Sequence, residues 1–311
     1  MNSYDVIIIG GGPAGFTAGI YAARGGVKVA IFTGLQPGGQ AALTHKIENF
    51  SGVKDAEGYL LVNTMMEQAI SFGAEVLYSS IEEVDFSGEE KRLVSDDGET
   101  YYSKAVIIAT GAKNKLIGLE NEKDLIGKGV SFCATCDGGF FKNKSVAVNG
   151  GGDTALTEAL YLSNICSEVY LIHRRQGFRA AQILIDRVNS NPKIKLVLDS
   201  VVTSLRGEPL QSIGILNKET GEKKDIYVSA LFVAIGYLPN TDVFKGKVNL
   251  NERDYIPTNN RMETNLEGVF AAGDVRDTPM RQVITACADG AIAANSALDY
   301  LISRWLKEQS F

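Results

Sequence analysis

The chain contains no run of about 18 apolar residues, the length a membrane-crossing helix needs, so no span is expected. It has no basic excess either: 31 Lys and Arg against 37 Asp and Glu leave a net charge of -6. That balance argues against a general affinity for nucleic acid or for anionic membrane. Cysteine is scarce, at 4 in 311 residues, which is not a disulfide framework. A close cysteine pair is then catalytic or metal-binding. The only two histidines, His45 and His173, stand apart from the cysteines in sequence, so ligand spacing for zinc is missing and no metal is expected. A signal peptide is also missing: Asn2-Ser3-Tyr4-Asp5 leads straight into an apolar strand, and the expected location is cytoplasmic.

Glycine is abundant, at 33 residues, and its clusters follow apolar runs as strand-to-helix turns do. The β-branched run Val6 to Ile9 precedes Gly10-Gly11-Gly12-Pro13-Ala14-Gly15, an amphipathic stretch from Phe16 to Arg24, and a second apolar run from Val27 to Phe32. This is the βαβ unit that rests a dinucleotide pyrophosphate on a helix N-terminus. It recurs at Val146 to Val148, Gly150-Gly151-Gly152-Asp153-Thr154-Ala155, a helix through Leu162, and Val169 to Ile172. Gly10, Gly12 and Gly15 match Gly150, Gly152 and Ala155 at one constant offset. A second echo pairs Ala105 to Gly111 with Ala230 to Gly236, each an apolar strand ending in small residues. Two nucleotide-binding domains of related architecture follow.

Neither unit carries the acid that binds an NAD ribose about 20 residues after the glycines. The first offers Thr33-Gly34; the second offers His173-Arg174-Arg175 and Arg179. Guanidinium groups at that place suit a 2′-phosphate, which assigns NADPH to the second unit. Val269 to Asp274 is a further strand and turn, ending in an acid suited to a flavin's polyol chain, with a helix beginning near Arg281. Because it follows the NADPH unit, the NADPH domain must be inserted into the FAD domain. The expected fold is α/β, two Rossmann-like (three-layer ββα) domains: 1–114 and 244–311 for FAD, 115–243 for NADPH.

Cys133-Ala134-Thr135-Cys136-Asp137 lies shortly before the second nucleotide strand. Two residues between cysteines permit a reversible disulfide when the second lies on a helix's first turn. Asp137 is a candidate proton donor and acceptor, or else a turn or helix cap. Cys166 and Cys287 read as packing residues.

Taken in order, these motifs resemble the low-molecular-weight, bacterial-type thioredoxin reductases over essentially the whole chain. Pro37-Gly38-Gly39-Gln40, Glu48-Asn49 and Arg281-Gln282 add to the likeness. The resemblance implies FAD contacts from Gly10, Gly12, Pro13, Ala14 and Gly15, and from Thr33, Gly34, Leu35, Gln36, Pro37, Gly38, Gly39 and Gln40. It adds Asn49, the main chain near Val84, Ala109, Thr110, Gly111, Gly273, Asp274, Arg281, Gln282 and Val283. NADPH would lie on Gly150, Gly152, Asp153, Thr154, His173, Arg174, Arg175, Arg179, Ile235 and Gly236. Cys133 and Cys136 would be the redox dithiol with Asp137 as acid and base, thioredoxin the protein substrate, and the assembly a homodimer.

Some positions depart from the family. Asn149 replaces an apolar residue at a strand end, where a polar side chain needs a hydrogen-bond partner. Thr157 stands where an acid is frequent, Ser51 where a proline is, and Gly139 where a bulkier residue is. The nearest rival, the flavoprotein reductase of alkyl hydroperoxide systems, has an additional N-terminal thioredoxin-like region and prefers NADH. Ferredoxin reductases of similar architecture lack the cysteine pair, and glutathione-reductase-like enzymes place theirs in the first FAD unit. A non-catalytic NADP(H) sensor would not need the dithiol. Dithiol and NADPH site share one inserted domain yet must both reach one flavin, so that domain is expected to rotate between half-reactions.

Overall fold

The computed structural model describes residues 2–44, 47, 49–54 and 56–309, which leaves His45 and Glu48 outside the described residues. Packing divides the chain into two units, Met1–Lys113 with Leu238–Phe311 and Asn114–Tyr237. The second crossing thus falls at 237–238, earlier than the 243–244 read from the sequence. Hydrogen bonds explain the difference. The Asn240 main-chain N–H donates to the Gly111 carbonyl (3.0 Å) and its side-chain amide to the Thr110 carbonyl (2.8 Å), while Thr110 Oγ1 donates to the Asn240 carbonyl (2.7 Å). Residues 238–243 are held by the outer unit before Phe244 stacks on Phe86 in its core.

In the outer unit the strand Asn2–Ile9 lies between Val29–Phe32 and Thr100–Ile108, parallel to both. Glu75–Leu77 extends the sheet beyond Val29–Phe32, and Val269–Ala271 pairs in parallel with Thr100–Ile108. Lys91–Ser95 and Ile81–Asp85 continue it as an antiparallel edge. A parallel strand covered on both faces needs apolar residues at successive positions, and this one supplies them. Val6 and Ile8 join the core on one face, Ile7 and Ile9 the core on the other. The first helix starts at Pro13, earlier than the expected Phe16, because proline's fixed φ suits the first helical position. The last helix runs Val283–Glu308.

The inner unit repeats the plan. Five parallel strands run in the order Ile194–Val197, Glu168–Ile172, Ser145–Gly150, Ala230–Ala234, Val130–Ser131. An antiparallel sheet of Ser200–Arg206, Ser212–Asn217 and Lys223–Tyr227 covers one side. The helix Asp153–Ile165 packs on the other through Leu156, Ala159 and Leu162. Asn149 pairs in register with Ile172 and Val233 within this sheet, so the departure leaves the strand intact.

The two echoes found in the sequence meet in space. A side chain at Gly10 would begin 2.2 Å from the Ala109 carbonyl oxygen, and one at Gly150 would begin 2.4 Å from that of Ala234. In each unit the first glycine is the only residue that lets the returning strand end against the turn.

Candidate active site: two glycine turns and a cysteine pair

Each glycine turn opens directly into a helix with nearly the same backbone. The residue before the helix is Gly12 at φ -97, ψ -172 in the outer unit and Gly152 at φ -104, ψ -179 in the inner. Neither helix start has a side-chain cap, so first-turn N–H groups face outward in both. Neither start is crowded: a methyl group built on Gly12 would meet only the Gly38 carbonyl oxygen, at 4.0 Å, and one on Gly152 only that of Arg179, at 3.7 Å. Such a start, free of acids in the outer helix, fits a pyrophosphate. Asp153 is acidic at the inner start, but its carboxylate accepts the Ala181 N–H (2.8 Å).

Around the outer turn the structure gathers most of the residues expected at FAD. Gly38 N–H donates to the Gly11 carbonyl (2.6 Å), seating the Thr33–Gln40 loop on the glycine turn. Asn49 Nδ2 donates to Gln282 Oε1 (2.8 Å), joining two segments far apart in sequence. Gln282 also completes a capping box with Thr285 at the start of the Val283–Glu308 helix. Arg281 lies over the Tyr255 ring at 4.4 Å. Burial raises the Asp274 carboxyl to about 6, against the opposing pull of Arg281. Val84 is different. Its side chain is core, which leaves only its main chain for a ligand. Leu35 is largely exposed.

At the inner turn, Arg179 N–H donates to the Gly151 carbonyl (2.7 Å), which brings the basic segment onto the glycines. Arg174, Arg175 and Arg179 are exposed there. His173 is buried and stacks on Phe178, with a ring nitrogen 3.2 Å from the Gly177 carbonyl. Burial lowers its pKa, and the three arginines add to the shift. Ile235 and Gly236 follow the strand whose end abuts Gly150.

Cys133 and Cys136 form a disulfide in the same unit. Cys133 precedes the short helix Ala134–Asp137, whose first turn carries Cys136, with the Cys136 and Asp137 N–H groups reaching the Cys133 carbonyl (3.3 and 3.1 Å). Two groups the sequence reading passed over hold this turn. Buried Ser131 donates to Asp137 Oδ2 (2.6 Å) and accepts the Cys133 N–H (3.2 Å). Glu158 Oε1, from the Asp153–Ile165 helix, accepts the Ala134 N–H (3.3 Å). Burial raises the Asp137 pKa, while Ser131's hydrogen bond restrains the rise. A carboxyl that keeps its proton more readily than usual, next to a disulfide, can protonate a departing thiolate. A third missed device is the largely buried ion pair Arg276–Asp289 (3.0 Å), whose carboxylate also accepts the Gly273 N–H (3.2 Å) and so fixes the Asp274 turn.

A family model described as pyridine nucleotide-disulphide oxidoreductase matches residues 4–290. The chain is 44% identical over 308 residues to a thioredoxin reductase of Peptoclostridium acidaminophilum, covering 96% of this chain and 98% of the relative. It is 45% identical over 306 residues to one of Helicobacter pylori, with 96% and 98% covered. The crystal structure of thioredoxin reductase from Streptococcus pyogenes superposes with a TM-score of 0.89 at 39% identity, covering 97% of this chain and 99% of that one. Likeness of this extent embraces both glycine turns and the cysteine pair, and the chain belongs to the pyridine nucleotide-disulphide oxidoreductase family, among its thioredoxin reductases.

Proposed function

We propose that the chain reduces the disulfide of thioredoxin with electrons drawn from NADPH through FAD. One observation carries this reading. The Cys133–Cys136 disulfide lies on the same unit as the second glycine turn, in a chain 44% identical to thioredoxin reductases. When bound, FAD supplies two-electron exchange between a nicotinamide and a disulfide. The residues supply everything else. Gly12 to Gly15 and Thr33 to Gln40 bind the flavin nucleotide, with Asn49, Ala109 to Gly111, Gly273, Asp274 and Arg281 to Val283 closing that site. Gly150, Gly152 to Thr154, His173, Ile235 and Gly236 bind NADPH, and Arg174, Arg175 and Arg179 select its 2′-phosphate.

Asp137 holds or returns the proton as the cysteine sulfurs open and close. A thiolate of the opened pair then attacks the substrate disulfide, forming a mixed disulfide that the second sulfur resolves. The alkyl hydroperoxide reductase alternative gains no support, since the curated relatives named above are thioredoxin reductases over nearly their whole length. Among the described residues no helix is long and apolar enough to cross a membrane. The reading includes a cytoplasmic homodimer, as expected from the sequence.

Four outcomes are expected. Cys136→Ser should abolish NADPH-dependent reduction of thioredoxin while NADPH still bleaches the flavin band; an unchanged thioredoxin rate would overturn the dithiol assignment. Replacing Arg174, Arg175 and Arg179 with alanine should raise KM for NADPH at least about tenfold, since each lost phosphate contact removes a charge-assisted hydrogen bond. KM for NADH should stay level, and equal losses with both nucleotides would refute the 2′-phosphate role. Because one unit bears both the dithiol and the nicotinamide site, it must reorient between half-reactions. A cross-link locking the units in either orientation should therefore stop turnover, and steady turnover in a locked protein rules the rotation out. Sedimentation should give a dimer mass at assay concentration; a monomer mass contradicts the assembly.

A further inference from the structure

Glu158 is a half-buried acid bonded to the cysteine turn, and disulfide reduction by NADPH gives it no part. Its Oε1 accepts the Ala134 N–H, the first amide of the turn between the two cysteines. Its Oε2 is buried without a hydrogen-bond partner among the described residues. Its neighbours a turn away on the same helix, Ala155 and Leu162, are fully buried. Tyr161 and Leu162 pack on Gly138, just past the cysteine turn, where an added methyl group would meet them at 3.2 and 3.0 Å. A carboxyl in such a setting has no structural need to be an acid, since glutamine would accept the same N–H without a buried charge.

We propose that Glu158 is a positioning residue for the dithiol, fixing the turn through Ala134 and setting by its charge how readily Cys133 and Cys136 stay reduced. The inference deepens the reductase reading and rests on it only for the source of electrons. Opening the pair breaks one S–S bond and takes up two electrons, supplied by NADPH, with one proton for a thiol and a thiolate or two for a dithiol. A nearby carboxylate opposes the thiolate; a neutral carboxyl does not.

Burial raises the Glu158 pKa to about 7, only partly offset by the Ala134 N–H, and no charged side chain contributes. Below that pH the group is neutral and the reduced pair is unopposed; above it the carboxylate favours the disulfide. Ionisable groups on the packed elements are Asp137 and the cysteines from the cysteine turn, and Asp153 and Tyr161 from its own helix. Glu168 and Tyr170, Asp186 and Arg187, and Lys195 come from the neighbouring strands and helix. Glu168 is occupied by an ion pair with Lys195. Ser145–Gly150 and Gly138–Phe141 contribute none.

The test equilibrates the flavin-loaded protein with dithiothreitol buffers from pH 5.5 to 8.5 and counts reduced Cys133 and Cys136 by alkylation and peptide mass. E158Q, which keeps the acceptor and loses the charge, should favour the reduced pair about tenfold over wild type at pH 8.5. For a two-electron couple that is about 30 mV. The two proteins should converge below pH 6. E158D, which keeps the charge, should retain the wild-type pH dependence even if the turn loosens. An E158Q curve that coincides with wild type, or differs by one constant factor at every pH, overturns the proposal. Because alkylation reads the pair directly, this result is separate from whether thioredoxin is the substrate.

Discussion

A carbonyl oxygen sits where a side chain on the first glycine of each turn would have to begin, and the rest of the site depends on that contact. Ala109 closes on Gly10, and Ala234 on Gly150. Because the strand ends press on the turns, the segments that follow them, Thr110-Gly111 and Ile235-Gly236, arrive beside the helix starts. The same closeness lets Gly38 bond to Gly11 and Arg179 to Gly151, so each nucleotide loop hangs from a glycine carbonyl. A larger residue at either position would push apart strand, turn and loop together. The sequence repeat is thus the record of one steric solution used twice.

From this shared plan the two units diverge in what they add. The outer unit brings in Val269–Ala271 and a long helix, and locks the turn between them with Arg276–Asp289. Truncating one partner of such a largely buried pair leaves an uncompensated charge, which is more damaging than the pair is stabilising. The pair therefore works as a clamp on the Asp274 turn more than as a source of stability. The inner unit instead places a cysteine turn against the helix that its own glycine motif begins. The second glycine turn and the cysteine turn consequently meet one helix, at its start and along its flank.

Much of this was legible in the residues. β-Branched runs ending in glycine gave strands, turns and helix starts, because the parallel strands are buried on both faces and leave no alternation to misread. The inserted order followed from Val269 to Asp274 lying after the basic cluster. Other features were not legible, among them the Arg276–Asp289 pair, which joins residues on separate elements. The second crossing was displaced because Asn240 is tied to Thr110 and Gly111 by hydrogen bonds between residues far apart in sequence. Ser131 looked like any strand serine, and only the fold turns it toward Asp137. Glu158 carried a faint signal, an acid one turn from the apolar Ala155 and Leu162, but helix periodicity alone does not say which element that face meets.

The acids of the molecule show how burial serves chemistry here. Asp137, Glu158 and Asp274 all hold their protons more tightly than exposed carboxyls, and desolvation is the leading cause in each. Near sulfur that arrangement has a particular value. Electrons reaching a disulfide create negative charge in a half-buried place, and charge there is stable only if protons arrive with it or no fixed anion opposes it. An ordinary carboxylate beside the pair would oppose it at every physiological pH. A carboxyl raised to about 7 opposes it only on the alkaline side, so the helix that begins at the second glycine turn can couple the state of the dithiol to the proton supply around it.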